Sequence, residues 1–183
     1  NDRIHGRGGL DVLDGGAGDE LLEGDYRVSG GPGNDRLLAR AGAGDGDRPG
    51  YELSGGSGDD VYEVWQPYQM YELGSIYEGV DEGQDTLVLY GDGFSVWPGL
   101  PANVENLRYE YSGDLWYGVD SLMLRGNALD NRIEIGRANP GAATALHGLA
   151  GDDTLIGSAQ DESGNDSRGL FGGDGNDLLK GLA

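Results

Sequence analysis

A nine-residue beat of glycine and aspartate constrains this chain more than anything else in it. It is clearest at Gly172-Gly173-Asp174-Gly175-Asn176-Asp177-Leu178-Leu179-Lys180 and at Gly148-Leu149-Ala150-Gly151-Asp152-Asp153-Thr154-Leu155-Ile156. The pattern is Gly-Gly-x-Gly-x-Asp-x-U-x, with U a large apolar residue. Gly15 to Glu23, Gly30 to Leu38 and Gly55 to Glu63 keep the spacing, and Gly6 to Asp14 keeps it with Arg7 in a glycine slot. One match carries little weight, whereas several at one period describe a repeat.

The first six residues of such a unit must turn tightly, which calls for positive φ values that glycine adopts at little steric cost. The last three form a short strand whose side chains alternate between faces, so only U points inward. The inward set is then Ile4, Leu13, Leu22, Leu37, Leu53 and Tyr62, followed by Ile133, Leu146, Leu155, Leu170 and Leu179. Burying a leucine contributes roughly 1.5–3 kcal/mol, whereas ordering nine backbones costs roughly 1–2 kcal/mol each, and more for glycine. Hydrogen bonds between stacked strands help, but the turns need another source of cohesion. A hard cation fits that need, since calcium takes about six to eight oxygens from carboxylates and backbone carbonyls.

Charge points the same way. The 33 acidic residues outnumber the 12 basic ones, for a net charge of -21. Such a chain repels nucleic acid, and no basic stripe offsets the excess. Regular placement of aspartate separates this from a merely solvated acidic surface. Without metal, the composition is that of a disordered segment. There is no cysteine, so neither disulfides nor thiolate metal sites hold the fold and oxygen ligands remain. No signal peptide and no apolar run long enough to span a membrane occurs. The chain begins in mid-repeat at Asn1 and stops at Gly181-Leu182-Ala183, the opening of another repeat, so we expect a fragment of a larger protein.

Three regions are expected. Residues 1–63 form a first repeat block with two long steps. In one, Gly24 to Leu38, the stretch from Asp25 to Ser29 reads as a loop bulging from the turn; in the other, Ala39 to Ser54, Asp45 sits in a degenerate turn. Residues 64–125 lose the beat and, with Tyr62, hold most of the aromatic residues. Thr86 to Tyr90 and Val104 to Tyr111 read there as strands, with a break at Trp97-Pro98-Gly99. Trp65, Tyr68, Tyr71, Trp116 and Tyr117 read as the core of this segment, the rival reading being an exposed sugar-stacking platform. Residues 126–183 resume the repeat, with Asn131 in the aspartate slot and loops inserted around Asn139-Pro140-Gly141 and Asp161 to Asp166.

These repeats, together with Gly55 to Val64, Asp85-Thr86-Leu87, Leu100 to Leu107 and Gly126 to Asn131 in that order, resemble the RTX (repeats-in-toxin, hemolysin-type) calcium-binding proteins of bacteria. The resemblance implies an all-β fold: a parallel β-roll in two repeat blocks flanking a non-repeat, aromatic-rich β segment. It implies two nonapeptides per coil of about 18 residues, with several Ca2+ ions between the turns of neighbouring coils. Ligands would be the carbonyls of positions two and four and the position-six aspartate of one turn, with the carbonyls of positions one and three and the position-six aspartate of the turn two repeats later. Carried over, this implies a site from Arg7, Gly9 and Asp11 with Gly30, Pro32 and Asp35. A second takes Gly31, Gly33 and Asp35 with Gly55, Ser57 and Asp60, so that Asp35 bridges two ions. A third takes Leu149, Gly151 and Asp153 with Gly172, Asp174 and Asp177. A weaker fourth takes Asn127, Leu129 and Asn131 with Gly148, Ala150 and Asp153. The other face of the roll, on which Glu20 replaces aspartate, departs from the pattern.

The function implied is a calcium-binding, calcium-dependent folding module of a larger secreted RTX protein, exported unfolded by type I secretion and folded outside the cell. Its partners would be calcium ions and the rest of the parent protein. The rival is an adhesive module whose aromatic segment contacts a surface glycan. Carboxylates are too numerous for proximity to signal acid-base chemistry, and no nucleophile motif or phosphate loop stands out. His5 and His147 fall at the last position of a repeat and read as surface residues, so the chain reads as no enzyme.

Overall fold

The structure is a computed structural model that describes residues 1–7, 9–40, 50–66, 75–91, 99–113, 121–138, 143–158 and 169–181. No described residue is helical, so no helix long and apolar enough to cross a membrane occurs among them. The chain divides into two compact units, Asn1–Val88 with Pro101–Val104 and Leu89–Leu100 with Glu105–Ala183.

In the first unit one sheet takes β1 (Arg3–His5), β3 (Leu21–Glu23), β5 (Arg36–Arg40), β7 (Val61–Gln66) and the start of β9 (Thr86–Gly91), in that order. A second sheet takes β2 (Val12–Asp14), β4 (Arg27–Ser29), β6 (Glu52–Ser54) and β8 (Ser75–Tyr77). The chain crosses from one sheet to the other at every turn and returns parallel to itself. That is a parallel β-solenoid, as expected. In the second unit the end of β9, β10 (Asn106–Tyr111), β12 (Arg132–Arg137), β14 (Thr154–Ile156) and β16 (Leu178–Lys180) form one sheet, and β11 (Ser121–Arg125), β13 (Ala143–Ala150) and β15 (Gly169–Asp174) the other, again parallel. Strands of the aromatic segment thus pair with those of the repeats: β8 on β6, β10 on β12 and β11 on β13.

The register puts the U residues into columns. Leu22 lies beside Leu37 and Leu37 beside Tyr62, while Val28 lies beside Leu53 and Ile133 beside Leu155. Leu22, Leu37, Leu53, Tyr62, Ile133, Leu146 and Leu155 are fully buried, as alternation requires. Ile4, Leu13 and Leu170 are half-buried and Leu179 is exposed, because β1, β2, β15 and β16 are outer strands with a neighbour on one side only. Trp65, expected in a core, follows buried Val64 in β7 and therefore lands on the exposed face. Tyr68, Tyr71, Trp97, Trp116 and Tyr117 lie outside the described residues.

Two expectations are corrected. The stretch from Asp25 to Ser29 is no bulging loop, since Arg27–Ser29 is strand β4 and its central Val28 is 2% exposed. Alternation of Arg27, Val28 and Ser29 buries one side chain and exposes two, which suffices for a half-coil without a preceding glycine pair. Coil length also varies. Equivalent turn residues lie 18, 15 and 25 positions apart in the first unit and 22 and 24 in the second. The six-residue nonapeptide turns that lead into the larger sheet keep one length, so the variation arises elsewhere along the coil.

Candidate metal centre

The turns of fixed length lead into the larger sheet of each unit: Gly15–Glu20, Gly30–Asp35 and Gly55–Asp60 before β3, β5 and β7, and 126–131, 148–153 and 172–177 before β12, β14 and β16. In all of them except 126–131 the second and fourth residues have positive φ, as at Gly31 (113°) and Gly33 (141°). These two cannot carry a side chain. A Cβ on Gly31 would lie 1.9 Å from the Gly16 carbonyl oxygen, and one on Gly33 1.5 Å from that of Gly18. The backbones therefore stack in direct contact, with Gly31 and Gly33 N–H donating to the carbonyls of Gly55 and Ser57 at 2.7 and 2.8 Å. Each of those carbonyls keeps a second lone pair.

Stacking creates two side-chain ladders of opposite direction. At position six the N–H of one turn donates to the carboxylate of the next: Glu20 to Asp35 Oδ1 (2.8 Å), Asp35 to Asp60 Oδ1 (2.7 Å), Asn131 to Asp153 Oδ1 (2.8 Å) and Asp153 to Asp177 Oδ1 (3.0 Å). At position five the N–H of the later turn donates back: Asn34 to Asp19, Asp59 to Asn34, Asp152 to Asp130 and Asn176 to Asp152. The second ladder is exposed and the first is buried.

Along the buried ladder each aspartate uses Oδ1 and leaves Oδ2 over. In Asp35, Asp60 and Asp153 that second oxygen is buried and accepts no hydrogen bond. It folds back over the first glycine of its own turn, where a Cβ on Gly30, Gly55 or Gly148 would come within 2.2, 2.0 and 2.0 Å of it. Burial, opposed only in part by the backbone hydrogen bond, raises the Asp35 carboxyl to about 6 and that of Asp60 to about 7. Asp153 moves in the same direction for the same reason. A buried carboxylate oxygen with no partner is costly. A row of them beside inward carbonyls is a donor set for a hard, oxygen-seeking cation, and calcium fits it.

The geometry sorts the expected ligands. Gly31, Gly33 and Asp35 do meet Gly55, Ser57 and Asp60. Leu149, Gly151 and Asp153 meet Gly172, Asp174 and Asp177, with Gly151 N–H on the Asp174 carbonyl at 3.0 Å. Asn127, Leu129 and Asn131 meet Gly148, Ala150 and Asp153, where a Cβ on Gly151 would touch the Leu129 carbonyl oxygen at 2.4 Å. Asn131 is already committed, accepting from Asn127 N–H and donating to Asn127 Oδ1 and the Glu105 carbonyl.

Arg7, Gly9 and Asp11 do not meet Gly30, Pro32 and Asp35. They lie between β1 and β2, after the end of a strand of the larger sheet, whereas Gly30–Asp35 precedes one. Overlooking β4 shifted the alternation by half a coil. Glu20, assigned to the opposite face, is for the same reason the true neighbour of Asp35. Asp11 instead stacks on the three-residue turn before β4, with Arg27 N–H donating to its carbonyl at 2.9 Å. Glu78 and Asp85, absent from the expected ligands, join Asp60; the spacing of 25 residues from Asp60 to Asp85 repeats that from Asp35 to Asp60 and was the legible signal. His5 is exposed and bonds Glu23, while His147 is half-buried and stacks on Phe171 with ring centroids 4.6 Å apart.

Comparison with known proteins agrees with this geometry. The RTX calcium-binding nonapeptide repeat matches residues 1–25, 27–45, 144–167 and 170–183. Neither the curated proteins nor the solved structures give a match. These repeats bind calcium and build a structural rather than a catalytic fold. The chain thus carries four copies of the RTX calcium-binding nonapeptide repeat, two in each of its units.

Proposed function

We propose that this chain is a calcium-binding, calcium-dependent folding module of a larger secreted bacterial RTX protein, arranged as repeat blocks 1–63 and 126–183 around the segment 64–125. The observation that carries this reading is the recurring buried oxygen, Oδ2 of Asp35, Asp60 and Asp153, which accepts no hydrogen bond in any of these three turns. Ions would lie between Gly31, Gly33, Asp35 and Gly55, Ser57, Asp60, and between Leu149, Gly151, Asp153 and Gly172, Asp174, Asp177. A weaker site would join Asn127, Leu129, Asn131 to Gly148, Ala150, Asp153, and the turn Gly15–Glu20 takes the place of Arg7–Asp11 beside Gly30, Pro32 and Asp35.

With a dissociation constant of about 0.1–1 mM and roughly millimolar extracellular calcium, each site adds about 0.4–1.4 kcal/mol. Several must act together. Cytosolic calcium would leave them empty, so the chain would stay unfolded for export and fold outside. A calcium titration followed by circular dichroism and small-angle scattering tests this. We expect β signal and compactness to rise together with calcium, and a chelated chain as compact and as β-rich as the calcium form would refute the reading.

A further inference from the structure

The turn that brings the chain from β8 back to β9 is no nonapeptide. It runs Glu78-Gly79-Val80-Asp81-Glu82-Gly83-Gln84-Asp85, outside the residues matched by the RTX repeat. Asp81 takes a left-handed φ of 58°, and Gly79 N–H donates to Glu82 Oε2 at 2.9 Å, closing the extra residues into a small loop. The rest docks on Gly55–Asp60 as a repeat turn would. Gly58 N–H donates to the Glu82 carbonyl (2.7 Å), Gln84 N–H to Asp59 Oδ1 (2.9 Å) and Asp60 N–H to Asp85 Oδ1 (2.9 Å).

One difference sets this turn apart. Where the repeat turns 30–35 and 55–60 begin with glycine, this one begins with Glu78. Carboxylate oxygens of Glu78, Asp60 and Asp85, one from each, lie within 4.8 Å of one another. Asp60 is fully buried and its Oδ2 accepts no hydrogen bond; both oxygens of Glu78 are buried and accept none either. Neither residue pairs with a basic side chain among the described residues. Three carboxylates held this close, two of them with buried oxygens left over, repel one another unless something positive sits between them.

We propose that Glu78, Asp60 and Asp85 form a further divalent-cation site, suited to calcium, that is assembled by a non-repeat turn on the last repeat turn of the first unit. Three carboxylates give it one more negative charge than a pair of position-six aspartates, and ligand charge is a main determinant of calcium affinity. It is therefore the tightest site of the chain. This inference rests on the reading of the repeats as calcium-binding, but its failure is separable from failure of that reading.

The test titrates the whole chain with calcium by calorimetry and compares Glu78→Gln with Asp153→Asn, whose change lies in the second unit. We expect Glu78→Gln to remove the tightest class, lowering stoichiometry by one or weakening that ion by at least about tenfold, while Asp153→Asn retains it. In chelator Glu78→Gln should melt no lower than the unaltered chain, since it removes repulsion; a merely structural role for Glu78 would lower the melting temperature instead. Calcium binding by Glu78→Gln identical to that of the unaltered chain, while Asp153→Asn loses ions, overturns this site alone. No binding by any of the three overturns the repeat reading with it. If Glu78→Gln does not fold, Glu78→Asp serves in its place: it keeps the charge but shortens the reach, and weakened binding of one ion supports the site while unchanged binding rejects it.

Discussion

At the scale of single residues, the turns demand backbone conformations that most side chains resist, and one residue violates the demand. Leu149 occupies the second position of its turn with φ of 89°, where Gly31, Gly56 and Gly173 stand in the other turns, and its side chain is 48% exposed. It gains little from packing and carries strain of roughly 1–3 kcal/mol. Glycine there would relieve the strain and lose roughly 0.5–1 kcal/mol to greater freedom of the unfolded chain. Leu149→Gly should thus stabilise the chain by about 1 kcal/mol, read as a higher melting temperature in calcium. Asp35 is the opposite case, since it accepts from Glu20 N–H and donates its own N–H to Asp60, tying three turns together. Asp35→Ala should raise the calcium concentration needed for folding by more than Asp45→Ala, whose position lies outside the described residues; equal midpoints in a fluorescence titration would reject the bridging role. Asn131→Asp, which replaces a neutral amide with a charged ligand beside Asp153, should tighten calcium binding in the second unit.

At the scale of elements, β4 shows how little sequence a half-coil needs. Its three residues bury one side chain, Val28, between Leu13 and Leu53 of the neighbouring strands. If Arg27–Ser29 were a surface loop, Val28→Ala would be close to neutral. As a strand with a buried centre it should cost about 1–2 kcal/mol, measured by denaturant unfolding in saturating calcium. Opposite-sign pairs on the outer faces, such as Arg27 with Glu52 at 2.6 Å, are half-exposed and contribute little by comparison. What holds one coil to the next is backbone hydrogen bonding and the buried aspartate ladder, so each turn depends on both its neighbours.

At the scale of the molecule, the buried carboxyls make stability depend on pH in a direction opposite to ordinary ion-paired proteins. Burial raises Asp35 to about 6, Asp60 to about 7 and Glu78 to about 8, while in the unfolded chain such groups titrate near about 4. Between those limits the folded chain holds more protons than the unfolded one, so the free energy of unfolding falls as pH rises. The stabilising contribution is complete below about pH 4 and gone once pH passes about 8. In chelator the melting temperature should therefore drop from about pH 5 to about pH 8. Calcium needs the deprotonated ligands, so its affinity rises over the same range. With calcium present the drop should shrink or reverse, which paired melts in EDTA and in calcium would measure.

The sequence alone carried the nonapeptide beat and the identity of the buried ladder, because a tight turn favours glycine and a regular sixth-position carboxylate marks the inward oxygens; the parallel stack came with the resemblance to RTX repeats. Leu22, Leu37, Tyr62, Ile133 and Leu155 could be named as core from spacing alone, and the resemblance to RTX repeats set Asp35 against Asp60 and Asp153 against Asp177 in neighbouring coils. Which turns face which was a different matter. Alternation between two sheets means that one unrecognised strand moves every preceding turn to the wrong end of the coil, and β4, with no glycine pair to announce it, separated Asp11 from Asp35 and brought Glu20 in its place. Glu78 likewise became visible only through contact, since a glutamate seven residues before Asp85 has no meaning until a loop of unusual length folds it back over Asp60. Local residue preferences decide what a turn can be; the number of half-coils between two turns, which only the folded chain reveals, decides what they can bind together.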